Sequence, residues 1–132
     1  METPSPAVAI MVVEDEAITL EVIAVTLAKK YPKVTIHKAG NGRTGLELFR
    51  ELRPDIVITD INMPEMSGVQ MAKKIIEIKP DTKFIVLTGD NGKLIGGDSF
   101  GNVVKTDHLI EKPVDFLDLY AAVEQCFGEI RG

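Results

Sequence analysis

The chain has 132 residues, of which 45% are hydrophobic, and its 20 acidic and 15 basic side chains give a formal charge of −5. This size and composition are typical of one globular domain, spanning residues 1–132, that buries its own core. The acidic balance argues against direct nucleic-acid binding, and no apolar run reaches the about 18 residues of a membrane span. Because no signal peptide is visible, we expect a cytoplasmic protein.

The first half of the sequence predicts strands and helices in alternation. Continuous or alternating apolar runs indicate the strands, and apolar residues spaced three and four apart indicate the helices. In order, the predicted elements are a central strand Ala7–Val13, a helix Ala17–Lys30, an edge strand Val34–Ala39, a turn over Gly40–Gly42 and a helix Thr44–Leu52. Pro32 and Pro54 end the two helices, because proline lacks the backbone N–H that a continuing helix needs.

The second half continues this alternation from a strand that ends at a carboxylate. Ile56–Ile58 is apolar without alternation, as in a strand buried on both faces, and Asp60 stands where the strand emerges. Pro64 and Ser67–Gly68 then turn the chain away from the sheet. The remaining predicted elements are a helix with its apolar stripe over Val69–Ile76, a strand Phe84–Leu87, a short strand Leu109–Ile110 and a last helix Asp115–Phe127.

One helix of the alternation is poorly supported by the sequence. The segment Asp90–Thr106 contains four glycines, and each glycine inside a helix costs about 1 kcal/mol relative to alanine. A long helix does not tolerate this cost. We therefore predict that the fourth helix is short or irregular, with Ser99 able to cap it.

Strands that alternate with helices of this size predict a parallel sheet with right-handed crossovers. Two strand orders are open, namely 2-1-3-4-5 and an order that extends in one direction. The edge-like pattern of Val34–Ala39 favours 2-1-3-4-5, the doubly wound α/β arrangement of flavodoxin-like proteins, with a core over about residues 7–127. In that order the carboxyl ends of strands 1 and 3 are adjacent, so Glu14, Asp15 and Asp60 converge.

The residues at these strand ends indicate chemistry on a phosphoryl group. Crowded carboxylates attract a divalent cation, and a site of oxygen ligands that keeps several waters suits Mg²⁺. Thr88 adds a hydroxyl donor after the fourth strand, and Lys112 adds a cation after the fifth. These groups are suited to hold a phosphoryl group carried on the carboxylate of Asp60.

Four fragments, each closing a predicted strand, together resemble the receiver domain of bacterial two-component response regulators. They are Val13–Glu16, Asp60–Gly68, Leu87–Gly89 and Glu111–Pro113. The resemblance covers about Ala7 to Phe127. It implies a signalling domain that takes a phosphoryl group from a sensor histidine kinase or a phosphotransfer protein, changes conformation and signals to a downstream protein or a linked effector. No effector domain is expected within these residues.

The same resemblance implies a role for each site residue. Asp60 would be the phosphoacceptor, Thr88 the hydroxyl that follows the phosphoryl group, and Lys112 the cation that pairs with it. The implied magnesium ligands are Glu14, Asp15, Asp60 and the backbone carbonyl of Asn62. The side chains of Asn62 and Asp90 would tune hydrolysis of the acyl phosphate.

The sequence departs from this family in two places. The family usually has an aromatic residue three before the lysine, where this chain has Leu109, and Asp90–Thr106 lacks the pattern of a regular helix. Both places belong to the part of the family's fold that signals to partners, so the sequence leaves the output mode open. The peptide before Pro113 matches the family's cis bond. Three residues outside the four fragments are interpreted as structural: His37, His108 and Cys126.

Two other functions share parts of this pattern. A Mg²⁺-dependent phosphohydrolase with an Asp nucleophile needs a second acid two residues after the nucleophile, where this chain has Asn62. A flavin-binding electron carrier needs a phosphate-binding loop after the first strand, where Glu14–Glu16 would repel phosphate. We expect a receiver domain that is not an enzyme, except that it catalyses its own phosphorylation and dephosphorylation. The Mg²⁺-dependent phosphohydrolase is the alternative.

Overall fold

A computed structural model describes residues 8–89 and 108–131 of the chain. Its elements are β1 (Ala9–Val13), α1 (Ala17–Lys30), β2 (Thr35–Ala39), α2 (Gly42–Leu52), β3 (Ile56–Asp60), α3 (Gly68–Ile78), β4 (Lys83–Thr88), β5 (Leu109–Glu111) and α4 (Phe116–Arg131). The five strands form one parallel sheet in the order β2-β1-β3-β4-β5. The predicted α/β class and strand order are therefore confirmed. The prediction of a short or irregular fourth helix concerns Asp90–Thr106, which lies outside the described residues.

The sheet separates two apolar cores, which explains why the central strands are apolar without alternation. In β1, Ile10 and Val12 face the core that α1 and α4 cover. Met11 and Val13 face the opposite core, which α2 and α3 cover. Since successive side chains of a strand point to opposite faces, a strand covered on both sides needs apolar residues at every position.

The register of the sheet sets the strand ends level with one another. Val13 pairs with Thr59 across β1 and β3, and Asp60 pairs with Leu87 across β3 and β4. The chain segments that leave these strands therefore emerge at one edge of the sheet. This edge is where ligands bind in open parallel sheets.

Helix α2 begins two residues earlier than the predicted Thr44, at Gly42. Asn41 is its N-cap, and the backbone N–H of Thr44 donates to Asn41 Oδ1 at 2.8 Å. Gly42 was expected in a turn, but it lies in the helix against the loop after β3, where a Cβ atom would approach Met66 O to 2.6 Å. Glycine is needed there for close packing, and the sequence pattern did not reveal that contact.

The last helix runs past its predicted end at Phe127 and reaches Arg131. Gly128 therefore lies inside a helix, and its Cβ position is open space. Within the described parts of the chain, no helix combines the length and apolar character required to cross a membrane.

Candidate functional site

Three carboxylates meet at the carboxyl edge of the sheet. One oxygen from each of Glu14, Asp15 and Asp60 can be chosen so that all three atoms lie within 4.8 Å of one another. Glu14 is buried with 1% of its surface exposed, Asp60 is 9% exposed, and Asp15 is open to solvent. The structure therefore brings together the three acidic side chains that the strand order predicted would converge.

The backbone holds Glu14 in this position. Its N–H donates to Ala39 O at 3.1 Å, which continues the β1–β2 pairing by one residue. The N–H of Glu16 donates to Glu14 Oε2 at 3.0 Å. The sequence analysis treated Glu16 only as part of the acidic run Glu14–Glu16. Its backbone N–H orients the carboxylate of Glu14, and a backbone contact of this kind cannot be inferred from the residue type.

Lys112 lies between two of the carboxylates. Its Nζ is 2.7 Å from Glu14 Oε1, in an ion pair without the angle of a hydrogen bond, and it donates a hydrogen bond to Asp60 Oδ2 at 2.9 Å. The backbone N–H of Lys112 donates to Thr88 O at 2.8 Å, which attaches it to the end of β4. The peptide between Lys112 and Pro113 is cis, as the resemblance implied.

Burial and charge act in opposite directions on these groups. Burial raises the pKa of Glu14 above its ordinary value, and the nearby charge of Asp60 adds to this, although Lys112 opposes it. Burial alone would lower the pKa of Lys112, but its close contacts with the Glu14 and Asp60 carboxylates, and the charges of those groups, raise the pKa overall. Lys112 therefore keeps its positive charge, and a further cation would favour the charged form of Glu14.

The donor set suits a hard divalent cation. All three side chains offer carboxylate oxygens, and the buried carboxylate of Glu14 is costly to charge without nearby positive charge. The exposure of Asp15 leaves one side of the group open to water, which matches the preference of Mg²⁺ for retaining part of its hydration shell. The residues present therefore fit a magnesium ion.

The remaining predicted site residues lie at the same edge, with one exception. Thr88 ends β4, is 2% exposed, and pairs with Glu111 of β5. Asn62 is partly buried in the loop that follows β3. Asp90 lies outside the described residues.

Three residues were interpreted as structural or as departures from the family pattern. His108 is 9% exposed just before β5, and Cys126 is fully buried in α4. Leu109, in the place of the family's aromatic residue, is 51% exposed and pairs with Val86 in register.

The sequence matches a known family over most of its length. Residues 10–124 match the family described as "Response regulator receiver domain". The chain is 39% identical over 77 residues to the chemotaxis protein CheY of Thermotoga maritima, a match that covers 58% of this chain and 63% of that protein. It is 30% identical over 123 residues to YesN of Bacillus subtilis, which is named an uncharacterized transcriptional regulatory protein. This match covers 92% of this chain and 33% of YesN. The chain thus spans less than two thirds of the length of these relatives.

Solved structures share the fold over nearly the whole chain. The signal receiver domain of an HD domain-containing protein from Pseudomonas fluorescens Pf-5 superposes with a TM-score of 0.82 at 26% identity, covering 98% of this chain and 93% of that one. The response regulator protein TrrA of Thermotoga maritima, solved in complex with Mg(2+)-BeF, gives a TM-score of 0.77 at 29% identity, covering 90% and 98%. At these TM-scores the two neighbours share the overall fold of this chain.

Proposed function

The chain belongs to the response regulator receiver family, and on that basis we propose that it receives a phosphoryl group on Asp60 with the help of Mg²⁺. The donor would be a sensor histidine kinase or a phosphotransfer protein, and the phosphorylated domain would signal to a downstream protein or a linked effector. The observation that carries the proposal is the position of Lys112, whose ammonium group lies 2.9 Å from Asp60 beside the carboxylates of Glu14 and Asp15.

In the proposed reaction, a carboxylate oxygen of Asp60 forms a bond to phosphorus. The bond between phosphorus and the nitrogen of the donor's phosphohistidine breaks, and that nitrogen keeps the electron pair. In this proposal the hydrogen bond of Lys112 moves from the carboxylate of Asp60 to a phosphoryl oxygen. The hydroxyl of Thr88 is proposed as a second donor to the phosphoryl group.

Glu14, Asp15, Asp60 and the backbone carbonyl of Asn62 are the proposed magnesium ligands. When bound, the ion supplies positive charge that offsets the phosphoryl oxygens as they approach the acidic group. The buried position of Glu14 and its hydrogen bond from Glu16 N–H keep one ligand fixed before any ion arrives. Hydrolysis later releases inorganic phosphate, and the side chains of Asn62 and Asp90 are proposed to set its rate.

Receiver domains are signalling domains, so the proposed output is a change of partner rather than turnover of a substrate. Several relatives are named as transcriptional regulatory proteins, and the chain covers only part of their length. A partner or linked domain that acts on transcription is therefore one proposed route of output, and the cytoplasm is the proposed location. The receiver domain itself is not proposed to contact nucleic acid.

Incubation with a small phosphodonor and Mg²⁺, followed by intact mass measurement, tests the proposal. We expect one phosphoryl group that is labile to base and hydroxylamine and that is absent in Asp60→Asn, because an amide is not a nucleophile here. Asp118→Asn is the matched control, since Asp118 is an exposed acid on α4 that does not belong to the carboxylate group. Undiminished labelling of Asp60→Asn would contradict the assignment.

A further inference from the structure

A second group of metal-ligating side chains lies on the side of the sheet that α4 covers. His108, Cys126 and Glu129 place an imidazole nitrogen, a thiol sulfur and a carboxylate oxygen within 4.8 Å of one another. None of these residues belongs to the carboxylate group at Asp60. From this geometry we propose that the protein binds a Zn²⁺-like transition-metal ion through His108, Cys126 and Glu129.

The ligand set separates this site from the magnesium site. Imidazole and thiolate are ligands of zinc and of related borderline or soft ions, whereas Mg²⁺ prefers oxygen alone. Three protein ligands with a fourth position left to water is a recurring zinc arrangement. The chemistry therefore selects a transition metal at this place even in the presence of abundant Mg²⁺.

The three side chains come from two parts of the fold, α4 and the segment that leads into β5. Cys126 and Glu129 are three residues apart on α4 and so lie on one face of the helix. His108 immediately precedes β5, and its carbonyl accepts the N–H of Val86 at 2.8 Å, which fixes its backbone against β4. Two ligands are thus held by a helix and the third by the sheet, and each has a defined backbone position.

The spacing requires only a small adjustment. Bonds of about 2.0–2.3 Å in a tetrahedral site place the ligand atoms about 3.6 Å apart, so atoms 4.8 Å apart at most need to approach by about 1 Å. Glu129 is the side chain able to move, because it is 37% exposed, whereas Cys126 is fully buried. The exposed carboxylate also provides the route by which an ion enters from solvent.

The ion pair that Glu129 already forms competes only weakly with a metal ion. The only ion pair that Glu129 forms among the described residues is with Lys83, whose Nζ is 3.9 Å from Glu129 Oε1. That contact is long and partly exposed, so it is a weak competitor for the carboxylate. A metal ion would replace it with direct coordination and join the end of α4 to the start of β5.

Titration with Co²⁺, a spectroscopic substitute for Zn²⁺, tests this proposal in the full chain. The Asp15→Asn variant, in excess Mg²⁺, limits binding at the oxygen-only group. We expect one equivalent of Co²⁺ to produce a thiolate-to-cobalt charge-transfer band that Zn²⁺ then removes. The absence of that band would overturn the proposal.

Variants of the ligands distinguish a built site from a lone thiol. Glu129→Gln and His108→Gln should each weaken Co²⁺ binding about tenfold or more, and Cys126→Ala should abolish the band. Asp118→Asn, nearer the start of the same helix, should leave binding unchanged. If His108→Gln and Glu129→Gln both bind as tightly as their parent, only the thiol is involved and the proposal is wrong. Glu129 is exposed, so its variant decides the question even if Cys126→Ala does not fold.

Discussion

Among single residues, Lys112 offsets the negative charge of two carboxylates in the site. It forms close ion pairs with Glu14 and Asp60, and Glu14 is almost wholly buried. Removing one partner of a buried ion pair leaves the other charge uncompensated in a poorly solvated place. Lys112 therefore stabilises the metal-free fold as well as serving the proposed chemistry.

We expect Lys112→Gln to lower the free energy of unfolding by about 1–3 kcal/mol in metal-free buffer. Mg²⁺ should restore part of this loss, because it would bring positive charge to the same carboxylates. Urea unfolding with and without Mg²⁺ measures both effects. Lys79→Gln is the control, since Lys79 pairs with the exposed Asp81 and should change stability by less than about 0.5 kcal/mol. A Lys112→Gln protein as stable as the wild type would contradict this account.

Cys126 has a thiol that the fold keeps protonated. Burial, and then the charge of Glu129, raises its pKa from 9.0 to about 12. Because the thiolate is the reactive species, the metal-free folded protein should react with a disulfide reagent at pH 8 about a thousandfold more slowly than the urea-unfolded chain. The rate of colour release measures this, and similar rates in both states would refute it.

The same shift affects stability at high pH. The unfolded chain loses the thiol proton near pH 9, whereas the folded protein keeps it until about pH 12. Cys126 therefore contributes stability that is fully present below about pH 9 and is lost as the pH rises through the folded value.

At the scale of elements, the start of α3 is set by a close approach to β3. Ser67 caps the helix in a capping box with Gln70, and the N–H of Gly68 donates to Ile61 O at 2.7 Å. A Cβ atom on Gly68 would lie 2.2 Å from the backbone oxygen of Asp60. No side chain fits between the helix and the residue proposed to accept phosphate.

We expect Gly68→Ala to destabilise the protein by about 1–3 kcal/mol, because the helix must move away from β3 to admit the methyl group. Gly128→Ala is the matched control. It lies inside α4 with open space at its Cβ position, so the same change should stabilise by about 0.5–1 kcal/mol. Thermal unfolding of the two variants measures the difference, and equal shifts would contradict the steric explanation.

The sequence predicted correctly those elements that a local residue pattern defines. It failed where a tertiary contact determines where an element begins. The apolar run Ile56–Ile58 identified β3, since a strand buried on both faces has no polar position. The start of α2 was placed too late because Gly42 was interpreted as a turn residue. Its proximity to Met66 is a tertiary contact that a local pattern does not contain.

At the scale of the whole molecule, α1 and α4 meet through aromatic residues. The hydroxyl of Tyr31 donates to Glu124 Oε2 at 2.7 Å, and its ring packs edge-on against Phe127 at 5.3 Å between centroids. Lys30 Nζ lies 5.0 Å from the ring centroid of Tyr120. These contacts join α1 to α4.

We expect Tyr31→Phe to lower the free energy of unfolding by about 1 kcal/mol, because it removes the hydrogen bond and keeps the ring. Tyr31→Ala should cost about 3–5 kcal/mol, since it also removes the packing. Urea unfolding measures both. Glu124→Gln, which retains an acceptor oxygen, should lie closer to the wild type than Tyr31→Phe, and the reverse order would contradict a role for this bond.

The site was predictable at this scale because strand order alone determines which strand ends are neighbours. Placing β1 beside β3 was sufficient to bring Glu14, Asp15 and Asp60 together. The sequence did not indicate that Lys112 would bridge Glu14 and Asp60, because that depends on how far the lysine side chain extends past β4 toward these carboxylates. Nor did it indicate that His108 would approach Cys126, since both had been interpreted as packing residues.

The two cores differ in how much of the chain must be present before they form. Among the described residues, the core under α2 and α3 is built from positions between Met11 and Val86. The core under α1 and α4 also needs residues from Ile110 to Phe127. Synthesis on the ribosome supplies the amino-terminal residues first, and contacts close in sequence form faster than distant ones. We therefore expect the α2–α3 face to assemble first during synthesis, and α4 to close the opposite face only after residues 110–127 emerge.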